Sequence, residues 1–190
     1  MLISGAGSNL RALLDAANNP LFGARVLAVG SDNPADGLAH ADLYGIPTFV
    51  VSPQNFESRE AWAEVLLENV NFFKPDLVVL AGFMRILPPN FVRALTPNLI
   101  NTHPSLLPNF PGAHAVRDAL NAGAKVTGVT IHIVDEGVDT GPQIAQREVA
   151  IQPDDNEGDL HERIKSVERE LLVETVKAFA DKKRETNGSR

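Results

Sequence analysis

One hundred and ninety residues suffice for one domain with a substantial core, and 44% hydrophobic against 22% charged residues exclude disorder, collagen and coiled coil. Seventeen basic against twenty-four acidic residues leave a net charge of −7, so DNA or tRNA finds no electrostatic footprint beyond a local patch. The absence of cysteine removes disulfides, thiolate nucleophiles and sulfur-built zinc sites, and any chemistry falls to His, carboxylates, amides and backbone.

The chain opens on three apolar residues, Met1, Leu2 and Ile3, before a Ser/Gly turn, too few for a signal peptide. No later run reaches the length of a membrane span. Cytoplasmic residence without membrane attachment is the expectation. Residues 26–30 (VLAVG), 48–51 (TFVV) and 77–81 (LVVLA) are short, β-branched and apolar on both faces, which predicts parallel strands buried between helix layers. Helical spacing covers 9–18, 34–44 and 58–73, with Ser8, Asn33 and Ser58 placed as N-caps. Alternation of this kind builds an α/β fold, an open, doubly wound and mainly parallel sheet with helices on both faces, whose ligands bind beyond the carboxyl ends of the strands. Farther along, 99–102 reads as a short strand, 103–112 as a Pro-rich loop, 129–134 as an alternating strand and 143–149 as another. The acidic spacer 135–142 (DEGVDTGP) is too long for a two-residue hairpin turn and is a candidate functional loop. A long helix near 157–181 closes a single domain, 1–181, and 182–190 reads as a polar, fraying C-terminal tail.

Three groups of residues carry chemistry. The turn Ser4-Gly5-Ala6-Gly7-Ser8-Asn9 joins the first strand to the first helix, where small residues and unpaired N–H groups suit a phosphate. It fails as a dinucleotide fingerprint, since Leu10 stands where the third glycine belongs and Asp32 lies far along for a ribose acid. Asn101 and His103 point to one side of a strand end, an amide and an imidazole placed to polarise a carbonyl and move a proton; the bland alternative for His103 is a loop histidine capping a carbonyl. Asp135, Glu136 and Asp139 could each charge that imidazole, and composition does not choose among them. His40, His114, His132 and His161 are scattered without ligand spacing and read as structural or surface histidines. On the last helix Glu168 falls inside the apolar arc of Leu160, Ile164, Val167, Leu171, Leu172 and Phe179, so its carboxylate wants a partner, either a ligand amine or an arginine such as Arg11 or Arg117.

The pieces GAGSN (5–9), AGFMRIL (81–87), NTHPSLLPNFPGAH (101–114), TGVTIH (127–132) and DEGVDTGPQIAQ (135–146), in this order, resemble the phosphoribosylglycinamide formyltransferases of purine biosynthesis. The resemblance runs from residue 2 to about 180. HPSLLP and VDTGP belong to a wider formyltransferase superfamily, while GAGSN and the FPGAH continuation point to the purine branch. It implies a Rossmann-like formyltransferase fold and transfer of a formyl group from 10-formyltetrahydrofolate, a co-substrate, to the amine of glycinamide ribonucleotide. It further implies Asn101, His103 and Asp139 as the catalytic trio, and Gly7, Ser8 and Asn9 as the phosphate site. Glu168 would receive the substrate amine. Arg59, Met84, Arg85, Ile86, Leu87 and Val92 would line the folate pocket, and the backbone of 135–139 would close on the pterin. Read without the resemblance, Arg85 snorkels from a helix into solvent and Met84 and Ile86 are plain core. No metal or covalent intermediate is needed, so activity is expected to survive a chelator. Partners are small molecules, with no nucleic acid, and the protein is expected to be a monomer or homodimer.

Members of that family usually carry a few more residues before the LISG turn, so a short first strand is expected here. Methionyl-tRNA formyltransferases have a further C-terminal domain and a basic surface, and formyltetrahydrofolate deformylases a regulatory domain, and neither is expected here. A deformylase reaction, with water replacing the amine, is the nearer alternative. A non-catalytic nucleotide-binding module built on GAGSN and Asp32 is the alternative of another class.

Overall fold

The structure, a computed structural model, describes residues 1–188 of the chain. Its strands are β1 (Leu2–Ile3), β2 (Val29–Ser31), β3 (Thr48–Val50), β4 (Val78–Ala81), β5 (Leu99–His103), β6 (Val126–Ile133) and β7 (Gln143–Ala150). Its helices are α1 (Ser8–Ala17), α2 (Leu38–Leu43), α3 (Arg59–Phe72), α4 (Pro89–Leu95), α5 (Ala115–Asn121) and α6 (Glu157–Gly188). The seven strands form one sheet in the order β3-β2-β1-β4-β5-β6-β7. β1 to β5 pair in parallel, and the β6–β7 hairpin adds antiparallel to β5. The α/β, mainly parallel sheet with helices on both faces is therefore as the sequence implies. Strand order turns from descending to ascending between β1 and β4, the crevice where open α/β sheets bind ligands.

Alternation along β5 sorts the two faces. Leu99 packs with Leu80, Trp62, Leu66 and Phe91 on the α3/α4 face, whereas Ile100 packs with Leu13, Ile164 and Leu172 on the α1/α6 face. Leu10, Leu13 and Leu14 of α1 are buried at helical spacing, as are Leu160, Ile164, Leu171 and Leu172 of α6. Ser58 caps α3 as expected, its hydroxyl accepting from Ala61 N–H at 3.1 Å.

Several elements differ from expectation. β3 is an exposed edge strand rather than a buried one, with Thr48 and Val50 open to solvent. α2 begins at Leu38 after Gly37, because the Asn33 amide leaves the capping position to bond the Ser4 carbonyl at 3.0 Å and Asp32 at 2.9 Å. α1 is capped by Gly7 in the left-handed region, and Ser8 is its first helical residue. α4 and α5, each seven residues, are too short to leave a periodic signal. α6 continues through Gly188, into the segment read as a tail; Ser189 and Arg190 lie outside the described residues. None of the described helices is long and apolar enough to cross a membrane.

Candidate active site

At the carboxyl end of β5, Asn101 and His103 face the same side, and the antiparallel register sets His132 of β6 directly across from Asn101. Asn101 Nδ2 lies 3.3 Å from His132 Nε2. The β6–β7 loop then brings Asp139 over both imidazoles: Oδ2 is 3.3 Å from His103 Nδ1, and Oδ1 is 3.4 Å from His132 Nε2. Asp139 holds φ at 55°, in the left-handed region, and its Oδ2 also accepts the Gly112 N–H at 2.8 Å. Of the three acidic candidates Asp139 is the one that lies beside the imidazoles. Asp135 is occupied within the loop by Gly137 N–H and Thr140 Oγ1, and Glu136 pairs with Arg93 at 2.8 Å.

His103 is 4% exposed, and its Nε2 faces the Phe110 carbonyl at 2.8 Å while Nδ1 faces Asp139. Each ring nitrogen thus meets an acceptor oxygen, and both can donate only when the ring carries two protons. Burial pushes the Asp139 carboxyl up, but the His132 hydrogen bond, the Gly112 N–H and the charge of the two imidazoles together outweigh it. The group is held below the usual carboxylate range. An amide donor, an imidazole and a fixed carboxylate converge at the end of a buried strand, a constellation suited to acyl transfer.

The Gly-rich turn takes the form the sequence suggests. Gly7 has a φ of 69°, and a Cβ there would lie 2.9 Å from Gly37 Cα, so the residue must be glycine on both counts. The first intrahelical donor of α1 is Arg11, bonding the Gly7 carbonyl at 2.9 Å. The preceding N–H groups of Ser8, Asn9 and Leu10 belong to the open helix end. Asn9 is 7% exposed, and its Oδ1 is buried without a partner among the described residues. A polar atom left so calls for a ligand or water.

Glu168 of α6 is 8% exposed and accepts the Thr102 hydroxyl at 2.8 Å. Its protein partner is therefore this threonine, not Arg11, which pairs with Asp15 at 3.1 Å. Thr102 points to the α1/α6 face, opposite Asn101 and His103. On the α3/α4 face a cavity of about 450 Å³ is lined by Pro53, Phe56, Arg59, Trp62 and Met84 to Ile86. Met84 and Ile86 stand 71% and 62% exposed, unlike core residues. Leu87 and Val92, also expected in that lining, are packed in the core beneath it at 8% and 3% exposure. Residues 82–88 are not helical, so Arg85 does not snorkel from a helix; its Nε donates to Asp32 at 2.6 Å. A larger cavity, about 1040 Å³, lies at the amino ends of the strands among Met1, Phe22, Phe73 and Leu77, and none of Asn101, His103, His132 and Asp139 lines it.

His132 and Asp32, the holder of Arg85, carry no local signal in the sequence: both pairings are long-range, and only the antiparallel register of the strands at 99–103 and 126–133 reveals the first.

A family model described as formyl transferase matches residues 1–176 of the chain. The phosphoribosylglycinamide formyltransferase of Mycobacterium tuberculosis is 49% identical over 180 residues, covering 95% of this chain and 83% of that protein. The enzyme of the same name from Escherichia coli is 42% identical over 183 residues, covering 95% of this chain and 86% of its own length. Among solved structures, glycinamide ribonucleotide transformylase 1 from Symbiobacterium toebii superposes with a TM-score of 0.92 at 40% identity, covering 95% of this chain and 85% of that one.

Proposed function

Because the chain belongs to the formyl transferase family, we infer that it transfers the formyl group of 10-formyltetrahydrofolate to the amine of glycinamide ribonucleotide. The products are formylglycinamide ribonucleotide and tetrahydrofolate, and the setting is purine biosynthesis in the cytoplasm. The observation that carries this reading is the convergence of Asn101, His103, His132 and Asp139 at one strand end.

The ribonucleotide phosphate rests on Gly7, Ser8 and Asn9, where the open N–H groups and dipole of α1 favour an anion. Glu168 receives the ammonium or amine at the other end of the substrate; its link to Thr102 fixes its direction. The formyl folate occupies the α3/α4 side, with Arg59, Trp62 and Met84 to Ile86 around it. When the neutral amine attacks the formyl carbon, the carbonyl oxygen gains negative charge; Asn101 Nδ2 donates to it, and a His103 imidazolium beside it offsets that charge. Asp139, held ionised, favours the charged imidazole and orients water to carry the amine proton toward the departing folate nitrogen. The C–N bond to folate breaks as the new amide N–C bond completes, and the proton lost by the amine ends on the folate nitrogen.

The test is to mix protein, 10-formyltetrahydrofolate and glycinamide ribonucleotide and follow tetrahydrofolate. Release that depends on the ribonucleotide is the expected result. Release without it would establish a deformylase, and saturable nicotinamide dinucleotide binding without folate binding would establish a binding module. Asp32 speaks against the last reading, because the residue is 3% exposed and its carboxylate is committed to Arg85 and Asn33 rather than open to a ribose.

A further inference from the structure

The ends of three strands are tied together at the crevice between β1 and β4 by one set of polar contacts. Ser4, after β1, donates its N–H to the Gly82 carbonyl at 3.1 Å, and its hydroxyl accepts the Met84 N–H at 2.9 Å. Asn33, after β2, donates to the Ser4 carbonyl at 3.0 Å and to Asp32 Oδ1 at 2.9 Å. Asp32 Oδ2 accepts the Arg85 Nε at 2.6 Å. The Asp32 side chain is 2% exposed and that of Arg85 48%, so a buried carboxylate grips a guanidinium that otherwise reaches into solvent. Only Nε is engaged; among the described residues the two Nη groups of Arg85 make no hydrogen bond. A guanidinium is a planar fork, and fixing its Nε edge fixes the direction of the remaining donors. Residues 82–88 have no regular secondary structure to hold them, so these contacts set their path.

We propose that Asp32 is a positioning residue for the folate donor: it holds Arg85, and through Asn33 and Ser4 the backbone of 82–84, in the arrangement that meets the ligand. The proposal rests on the folate side assigned under Proposed function. It differs from a simple neutralising role in sign. If Asp32 only cancels the charge of Arg85, its removal frees a cation and tightens binding of an anionic ligand. If it positions, removal loosens binding, because an exposed arginine must be ordered each time at the cost of its rotamer freedom.

Trp62 is the sole tryptophan of the chain, is 1% exposed, lines the same cavity and stacks on Phe83 with ring centroids 6.3 Å apart. Its fluorescence therefore reports tetrahydrofolate binding without turnover. Asp32→Asn is expected to weaken tetrahydrofolate binding and raise the KM for 10-formyltetrahydrofolate about tenfold, in line with loss of a charge-assisted hydrogen bond. The KM for the ribonucleotide should stay within about twofold, since the phosphate turn keeps its own backbone contacts. Arg85→Gln should give the same selective loss, and the double variant less than the sum of the two. Tighter tetrahydrofolate binding by Asp32→Asn, equal losses for both substrates, or additive effects in the double variant would overturn the proposal. Should Asp32→Asn not fold, Arg85→Gln decides, and unchanged folate binding in that variant overturns it. Wild-type protein that turns over both substrates while the variants behave normally defeats only the role of Asp32. Wild-type protein that binds no tetrahydrofolate defeats the folate assignment with it.

Discussion

At the scale of single residues, the arrangement around Asn101 makes a quantitative claim. In the proposed mechanism its amide is the neutral donor to the developing oxyanion, and losing one such donor costs about 2.7 to 4 kcal/mol of barrier. Asn101→Ala should therefore lower kcat about 10²- to 10³-fold with a smaller change in KM, which steady-state kinetics will read. Asp139 is tied to His103, His132 and Gly112, and its carboxyl sits below the usual range. Between pH 5 and 9 it stays ionised, so any limb in the kcat profile across that window belongs to another group. Asp139→Asn should cost roughly 10²- to 10⁴-fold in kcat, the range of general acid–base catalysis, and should not restore a limb in that window. Asn101 and His103 are legible in the sequence because they stand two apart before a proline. His132 is not, since its role arises from pairing with a residue 31 positions away. Asp139 was one of three carboxylates in a loop, and only the loop's path, with its left-handed φ of 55°, separates it from the other two.

Elements show the same division between local and distant causes. α3 and α6 are long enough for helical periodicity to register, and both stand close to where the sequence places their starts. β3 carries the apolar string expected of a buried strand yet ends the sheet, because edge position is a property of strand order and not of composition. The start of α6 offers a stability test. Asp155, whose side chain is 5% exposed, receives both Nη groups of Arg163 at 2.6 and 2.7 Å. It also accepts the Gln152 N–H at 2.8 Å. The Arg163 hydrogen bonds, reinforced by that backbone contact and partly offset by burial, hold its carboxyl down at about 2. A carboxyl depressed in the folded state contributes its full stability above the ordinary value near 3.8 and loses it as pH falls toward about 2. Thermal melts should show wild type losing more Tm than Asp155→Asn between pH 5 and 2, with the two curves converging at the acid end. Parallel curves would show that the pair contributes nothing through ionisation.

The whole molecule divides its work between the two faces of the sheet. Asn101 and His103 project toward the α3/α4 side, and the residue between them, Thr102, projects toward α1 and α6 and reaches Glu168. A strand's alternation therefore separates the groups assigned to the formyl donor from those assigned to its acceptor, while keeping both within one strand end of the chemistry. The net charge of −7 fits such a design, in which small anions are met by local N–H groups and arginines rather than by a basic surface. If the division is correct, a change on one face should be felt by one substrate. Glu168→Gln keeps the shape and an oxygen able to accept the Thr102 hydroxyl, so the helix stays packed, but it removes the negative charge offered to the amine. Ribonucleotide affinity, measured by calorimetry, should fall about tenfold, as expected for one charge-assisted hydrogen bond. Tetrahydrofolate binding, read from Trp62, should change less than twofold, because additivity holds for sites without shared partners. Equal loss of both ligands would mean that Glu168 supports the sheet end as a whole, and the assignment of the α1/α6 face to the acceptor would have to be withdrawn.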